Sequence, residues 1–414
     1  MTSLIKLKGE RKKLFENFVS LSVLQVLGYL FSLITLPYLA KTLGAENFGR
    51  ISFGVAVISY FQCVVQWGFR YSSVRDIAIS RNDPVAVSKI ASKVLCASLF
   101  LMIASSLVLL LLVCLVPSLN AEKEIILVTA LIIPGYTFFP DWLFQGMERM
   151  KYITIMSFFS RLIFTVSIFL FIKSPDDYVL EPAIQAIGQF LPGILSLMYG
   201  VRIFKLKLKY VGFKETICTL KEGFNVFFTQ FMPTLYNQMS IVLLGSMVGQ
   251  SAVGIFSAAY KFINISEQFA AVLSRTFFPF LARRIDKHHM YAVISGSISL
   301  LVSLVLLLSA DIIIKLFFTD EYAESVFLLR ILAFGPFFLF LRNTFGVNGL
   351  ILIKKDKSYR NIVFICSVIG FVLALISIPK WEGVGVAITF MVSWALMGLC
   401  SYFKFNKYNS SFAS

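Results

Sequence analysis

Runs of about 20 apolar residues recur from one end of this chain to the other, each long enough to cross roughly 30 Å of hydrocarbon. Nothing else in the sequence limits the possible folds so strongly. The 414 residues are 58% hydrophobic and only 14% charged, where a soluble domain carries about 25% charged residues. The predicted spans fall near 18–40, 48–71, 90–116, 124–145, 152–172, 180–203, 223–248, 253–281, 291–317, 323–352, 360–379 and 383–403. The expected fold class is an all-α membrane protein with about twelve transmembrane helices. Pro134, Pro192, Pro233 and Pro336 lie inside spans and are expected to mark kinks. The first run, from about Phe18 to Ala40, is too long for a signal-peptide core and reads as a retained helix.

Charge then orients the spans. Six basic residues fall on one side of the alternation: Lys41, Arg50, Lys123, Lys173, Lys315 and Lys380. Most of the 38 Lys and Arg fall on the other side, which includes both tails. The positive-inside rule therefore predicts that both termini are cytoplasmic. The opposite side is acidic, with Asp176, Asp177 and Glu181 in one loop and Asp320, Glu321 and Glu324 in another. The formal net charge of +16 is thus spread over cytoplasmic loops and is not gathered in a nucleic-acid-binding domain. The first 17 residues mix Lys6, Lys8, Arg11, Lys12 and Lys13 with apolar residues. They read either as a surface-lying helix or as a cationic topology signal.

Metal, disulfide and nucleotide chemistry find no footing. The six cysteines form no CxxC pair and mostly lie in apolar spans. His288 and His289 sit together in a polar stretch, expected to be solvated. There is no GxxxxGK[ST] phosphate loop and no GxSxG element. No cofactor is expected.

A faint internal repeat divides the chain. Under a shift of 205 residues, Gly44-x4-Gly49 falls on Gly249-x4-Gly254, Gln25 on Gln230 and Ser32 on Asn237. Ser59 falls on Asn264, Gln62 on Glu267 and Arg70 on Arg275. Each half would hold an even number of helices, giving parallel repeats about an axis along the membrane normal. The expected organisation is a basic segment 1–17, an N-lobe 18–203, a basic cytoplasmic linker 204–222, a C-lobe 223–403 and a tail 404–414.

Charges inside the membrane are costly and are functional candidates by default. In the eighth span Lys261, Asn264, Gln268 and Arg275 fall within about 60° on one stripe, with Glu267 off its edge. The second span repeats the pattern with Ser59, Gln62, Gln66 and Arg70, within about 80°. Arg161 and Arg342 lie near the middles of the fifth and tenth spans, too deep to snorkel easily. Together with Lys261 they would make a hydrated cavity between the halves cationic, suited to a phosphate-bearing ligand. Arg70 and Arg275 have two readings: cavity lining, or snorkelling to the cytoplasmic surface. Asp141 reads as a partner for a neighbouring base or as an ion-coupling acid. Glu267 reads as a counter-ion for Lys261 or as a proton or sodium site.

Several segments resemble a known family. Leu36-Pro37-Tyr38-Leu39-Ala40-Lys41-Thr42-Leu43-Gly44 followed by Phe48-Gly49 is similar to a signature of Wzx-type O-antigen flippases. These form the polysaccharide transporter branch of the multidrug/oligosaccharidyl-lipid/polysaccharide exporter superfamily. Phe139-Pro140-Asp141-Trp142-Leu143-Phe144-Gln145-Gly146 resembles their fourth helix. Tyr236 through Gly254 to Tyr260-Lys261 resembles their seventh and eighth. The resemblance implies two six-helix, MATE-like lobes in the bacterial inner membrane. It implies movement of an undecaprenyl-diphosphate-linked oligosaccharide to the periplasmic leaflet by alternating access, coupled to H+ or Na+ by analogy with the superfamily. The partners implied are the lipid-linked oligosaccharide, membrane lipids and glycan polymerase machinery, and no nucleic acid.

Two other functions compete with this one. A membrane-embedded glycan polymerase or ligase would be an enzyme, and generally needs a sizeable periplasmic loop, which the predicted spans do not leave. A multidrug antiporter of the same superfamily often carries an acid in its first helix, and none lies between Asn17 and Lys41. Peptidoglycan-precursor flippases usually have fourteen helices, against the twelve expected here.

Overall fold

A computed structural model of the chain describes the backbone of residues 2–283 and 285–413. Side chains are described from residue 28 onward, except 29, 70, 71, 225, 271, 272, 275, 276, 278–280, 282–284 and 409–414. The described residues are helical nearly throughout, as an all-α multi-pass membrane protein requires. The first helix runs from Thr2 to Gln66 and carries two of the predicted spans, turning at Gly44, whose φ of 73° favours glycine. The last, Asp356–Ala413, carries two more and turns at Glu382.

Other spans are broken, each for a local reason. The span predicted at 124–145 is three short helices, Lys123–Ala130, Ile132–Phe138 and Asp141–Gly146. Pro134 and Pro140 stand at these breaks, where their missing N–H groups cost least. The span predicted at 323–352 comprises Ser325–Leu332, Gly335–Leu341 and a ten-residue π-helix, Arg342–Ile351. Pro336 opens the second of these. Pro192 and Pro233 instead lie inside the continuous helices Leu180–Ile203 and Phe213–Met247.

The chain divides into two compact units, Met1–Tyr38 with Val57–Phe231 and Leu39–Ala56 with Met232–Ser414. In the first unit, the helix Pro84–Leu115 exposes Leu107, Leu111 and Leu115 along one side, a face that suits lipid. Trp67 closes the first helix: it donates from Nε1 to the Leu220 carbonyl at 2.7 Å and stacks on Phe227 at 4.1 Å.

The second unit joins the two glycine turns of the repeat. A Cβ at Gly49 would lie 1.7 Å from the Gln250 carbonyl oxygen, and one at Gly254 would lie 2.0 Å from that of Ala45. These two contacts are related by the same 205-residue shift as the repeat, so the turns meet reciprocally, as two-fold-related surfaces do. The Glu321 carboxylate accepts the Ala45 N–H at 3.0 Å, and the Tyr322 hydroxyl donates to the Ala40 carbonyl.

One expectation is corrected here. His288 is not solvated: it opens the helix His288–Phe317 and is only 5% exposed. Its ring packs 4.5 Å from Phe405, and Nε2 donates to the Thr344 carbonyl in the π-helix at 3.0 Å. The flanking sequence is polar, but the partner rings come from distant residues. His289 is exposed.

Candidate functional site

Within the first unit a polar cavity of about 260 Å³ is built from seven helices. The helix Met150–Phe171 supplies Ser157, Ser160 and Arg161 at helical spacing, hence on one face. Its opposite side exposes Ile155, Phe159, Ile163 and Val166, so amphipathicity alone turns the arginine inward. Gln66, at the end of the first helix, and Asp141, at the start of a short helix, also line the cavity. Asp141 folds one oxygen back onto the Trp142 N–H at 2.7 Å, while Gln145 Nε2 reaches the other at 3.5 Å.

Two features carry no intramembrane charge and were not among the predicted residues: one lines the cavity and the other lies against its arginine. Gln189 faces Ser160 across the cavity, Oγ to Oε1 at 3.5 Å. Gly135 and Gly193 allow this: a Cβ on Gly135 would lie 2.8 Å from Gln189 Cγ, and one on Gly193 would lie 2.9 Å from the Gly135 carbonyl. The other is Gly28. A Cβ there would lie 1.9 Å from Arg161 Nη1 and 2.6 Å from Cζ, so the guanidinium rests on bare backbone of the first helix. Pattern in a single helix signals the arginine; the surface that receives it comes from a helix more than a hundred residues away.

The second unit holds a separate arrangement. Arg342, the first residue of the π-helix, donates from Nη2 to Glu267 Oε1 at 2.9 Å. Glu267 sits on the helix Gln250–Arg283, off the stripe of Lys261, Asn264 and Gln268. On that stripe Lys261 and Asn264 are half-buried and Gln268 is exposed. Fully buried Tyr236, together with Tyr359, lies close enough to Arg342 to interact with it electrostatically. Further along the π-helix Asn348 is fully buried, donating to Tyr291 Oη and the Ser274 carbonyl while accepting from Ser274 Oγ.

The predicted residues are therefore distributed as follows. Arg161, Asp141 and Gln66 share the first unit's cavity, and Gln62 is half-buried on the first helix. Lys261, Asn264, Glu267, Gln268 and Arg342 belong to the second unit. The side chains of Arg70 and Arg275 lie outside the described residues. Chemically, the first cavity offers one guanidinium, one carboxylate, several hydroxyls and two carboxamides, a set able to hydrogen-bond polar and anionic groups.

Residues 14–285 match the protein family described as polysaccharide biosynthesis protein. A candidate O-antigen transporter of Escherichia coli strain K12 is 28% identical over 392 residues, covering 92% of this chain and 94% of the relative. A capsular polysaccharide biosynthesis protein of Staphylococcus aureus, CapF, is 22% identical over 415 residues, covering 95% and 99%. Among solved structures, the lipid II flippase MurJ in an inward closed conformation is similar with a TM-score of 0.73 at 16% identity, covering 94% of this chain and 87% of that one. An inward-facing multidrug resistance MATE family transporter of the MOP superfamily gives 0.66 at 15%, covering 95% and 98%. These likenesses establish the MATE-like helical fold, and the match across residues 14–285 establishes that this chain belongs to the polysaccharide biosynthesis protein family.

Proposed function

We propose that this chain is a flippase that carries undecaprenyl-diphosphate-linked oligosaccharide repeat units of the O-antigen type from the cytoplasmic to the periplasmic leaflet of the inner membrane. The observation that carries the reading is the polar cavity around Arg161, set in a helix whose other face is exposed and apolar. A lipid-linked glycan needs such a chamber: hydroxyl and carboxamide partners for sugars, a guanidinium for a phosphate, and a route that leaves the tail in hydrocarbon. Arg161 holds phosphate oxygens, and Gln66, Gln189 and Ser160 meet sugar hydroxyls. Arg342, Lys261, Arg70 and Arg275 supply further positive charge along the path. The two repeats rock to open the path to alternate sides. Asp141 and Glu267 are the acids available to couple that motion to H+ or Na+. Glycan polymerase machinery would receive the cargo. The names of the Escherichia coli and Staphylococcus aureus relatives support a glycan cargo, as does the fold of a lipid II flippase.

The test is deletion of the gene, followed by analysis of lipid-linked glycan by leaflet. Single repeat units should accumulate on the cytoplasmic face, and Arg161→Ala should reproduce this while the protein stays in the membrane. Loss of cationic-dye export with normal surface glycan in the deletion strain would instead identify a drug antiporter.

A further inference from the structure

The Arg342–Glu267 pair is incompletely made. A guanidinium presents Nε–H and the Nη2–H groups along one edge, which receives two oxygens side by side. Glu267 fills only the Nη2 half of that edge, with a single oxygen at 2.9 Å. Arg342 Nε is buried and has no hydrogen-bond partner among the described residues. A buried donor left unmade is costly, and a chain with a permanent structural ion pair at this point would gain by closing the fork. The pair is also within reach of solvent, the side chains being 18% and 28% exposed. It stands where an α-helix gives way to a ten-residue π-helix, a widened geometry frequent at functional sites.

We propose that Glu267 is an internal stand-in for a phosphate: it occupies half of the Arg342 fork until an anion with more oxygens and more charge displaces it. The pair then selects among anions. Glu267 is tethered, so its effective concentration is about millimolar or higher. A free monocarboxylate, such as the acid group of a sugar, brings the same single charge and cannot compete with it. A phosphate or diphosphate brings additional charge and fills both Nε and Nη2. Arg342 and Glu267 thus act together as a specificity element for phosphates over carboxylates. The inference rests on the flippase reading only for the source of that phosphate.

The test uses the full-length protein in lipid nanodiscs, with calorimetric binding of inorganic pyrophosphate, acetate and undecaprenyl diphosphate. Glu267→Gln removes the competitor's charge and should tighten pyrophosphate binding about tenfold, the scale of one charge-assisted contact, and should allow acetate to bind. Arg342→Lys keeps the charge but has no fork, and should lose the preference for pyrophosphate over acetate. If Glu267→Gln fails to accumulate, Glu267→Asp shortens the reach to Nη2 and should shift affinity in the same direction. Unchanged or weaker pyrophosphate binding in the Glu267 variants overturns the proposal, as does an unaltered preference in Arg342→Lys. Tighter binding of undecaprenyl diphosphate than of pyrophosphate assigns the site to a lipid headgroup, and equal affinity assigns it to free phosphate. The two readings separate cleanly. If gene deletion blocks glycan export but Glu267→Gln binds as wild type, only the stand-in role falls. If deletion leaves export intact while Glu267→Gln tightens binding, the phosphate selection stands and the flippase reading falls.

Discussion

Gly28→Ala adds one methyl group and should silence the protein without unfolding it. The new Cβ would lie 1.9 Å from Arg161 Nη1, 2.6 Å from Cζ and 2.9 Å from Nη2. Ordinary contact begins near 3.4 Å, so the guanidinium must retreat by about 1.5 Å. It can do so, because it is the far end of a flexible side chain, and the backbone need not move. The helix itself should benefit, since alanine is favoured over glycine in a helix interior by up to about 1 kcal/mol. Stability and function are therefore predicted to move in opposite directions. A displacement of about 1 Å in a positioning group costs on the order of a hundredfold in rate, or about 2.7 kcal/mol of barrier. The assay is surface glycan in a deletion strain carrying the variant, scored against the amount of protein in the membrane. Gly28→Ala should match wild type in amount and approach Arg161→Ala in export. In the Arg161→Ala background the added methyl should cost nothing more, because the two changes act through one group. Wild-type export from Gly28→Ala would refute the reasoning, since it would mean that the seat of the guanidinium does not matter.

Other perturbations probe the scaffold. Gly254→Ala places its Cβ 2.0 Å from the Ala45 carbonyl; backbone cannot swing aside, so about 1–3 kcal/mol of stability should be lost, read as a lower melting temperature in detergent. Asn348→Leu removes three buried hydrogen bonds to Ser274 and Tyr291 and should cost about 1–2 kcal/mol, read by the same melting measurement. Asp177 accepts from the N–H groups of Lys173 and Ser174 and from the Ser174 hydroxyl, which hold its carboxyl below the usual range. A depressed carboxyl stabilises the fold above its unfolded pKa and stops doing so as pH falls through the folded value. Protease resistance of the 173–179 turn should accordingly differ between wild type and Asp177→Asn near neutrality and converge in acid.

What could be read from the sequence follows from what kind of signal each feature leaves. Spans are legible because hydrocarbon imposes a length and an apolar composition on each one separately. Arg161, Asp141 and Arg342 are legible because a charge in such a span is conspicuous by itself. Gly28 and Gln189 are not, because each is defined by a partner that only helix packing brings near. The stripe on the eighth span points to Lys261, Asn264 and Gln268, whereas the structure pairs Glu267, beside the stripe, with Arg342. A helical wheel weighs angles on one helix; it cannot know that a neighbouring helix widens into a π-turn at Arg342. The breaks within 124–145 and 323–352 have the same character: their prolines are visible, but whether each bends or divides a helix depends on surrounding packing.

The capture of residues 39–56 by the second unit also bears on how the protein is made. This segment leaves the ribosome about 200 residues before Gln250 and Gly254, the groups on which Gly49 and Ala45 close. At roughly 5–20 residues per second, that is a wait of about 10–40 s. Throughout that interval the glycine-faced turn lacks the Gln250–Gly254 segment on which it closes. Assembly of the nascent chain cannot then proceed strictly half by half. The early turn must be kept available until its counterpart arrives, and a protein cut between the repeats would have to recover that meeting between two separate fragments.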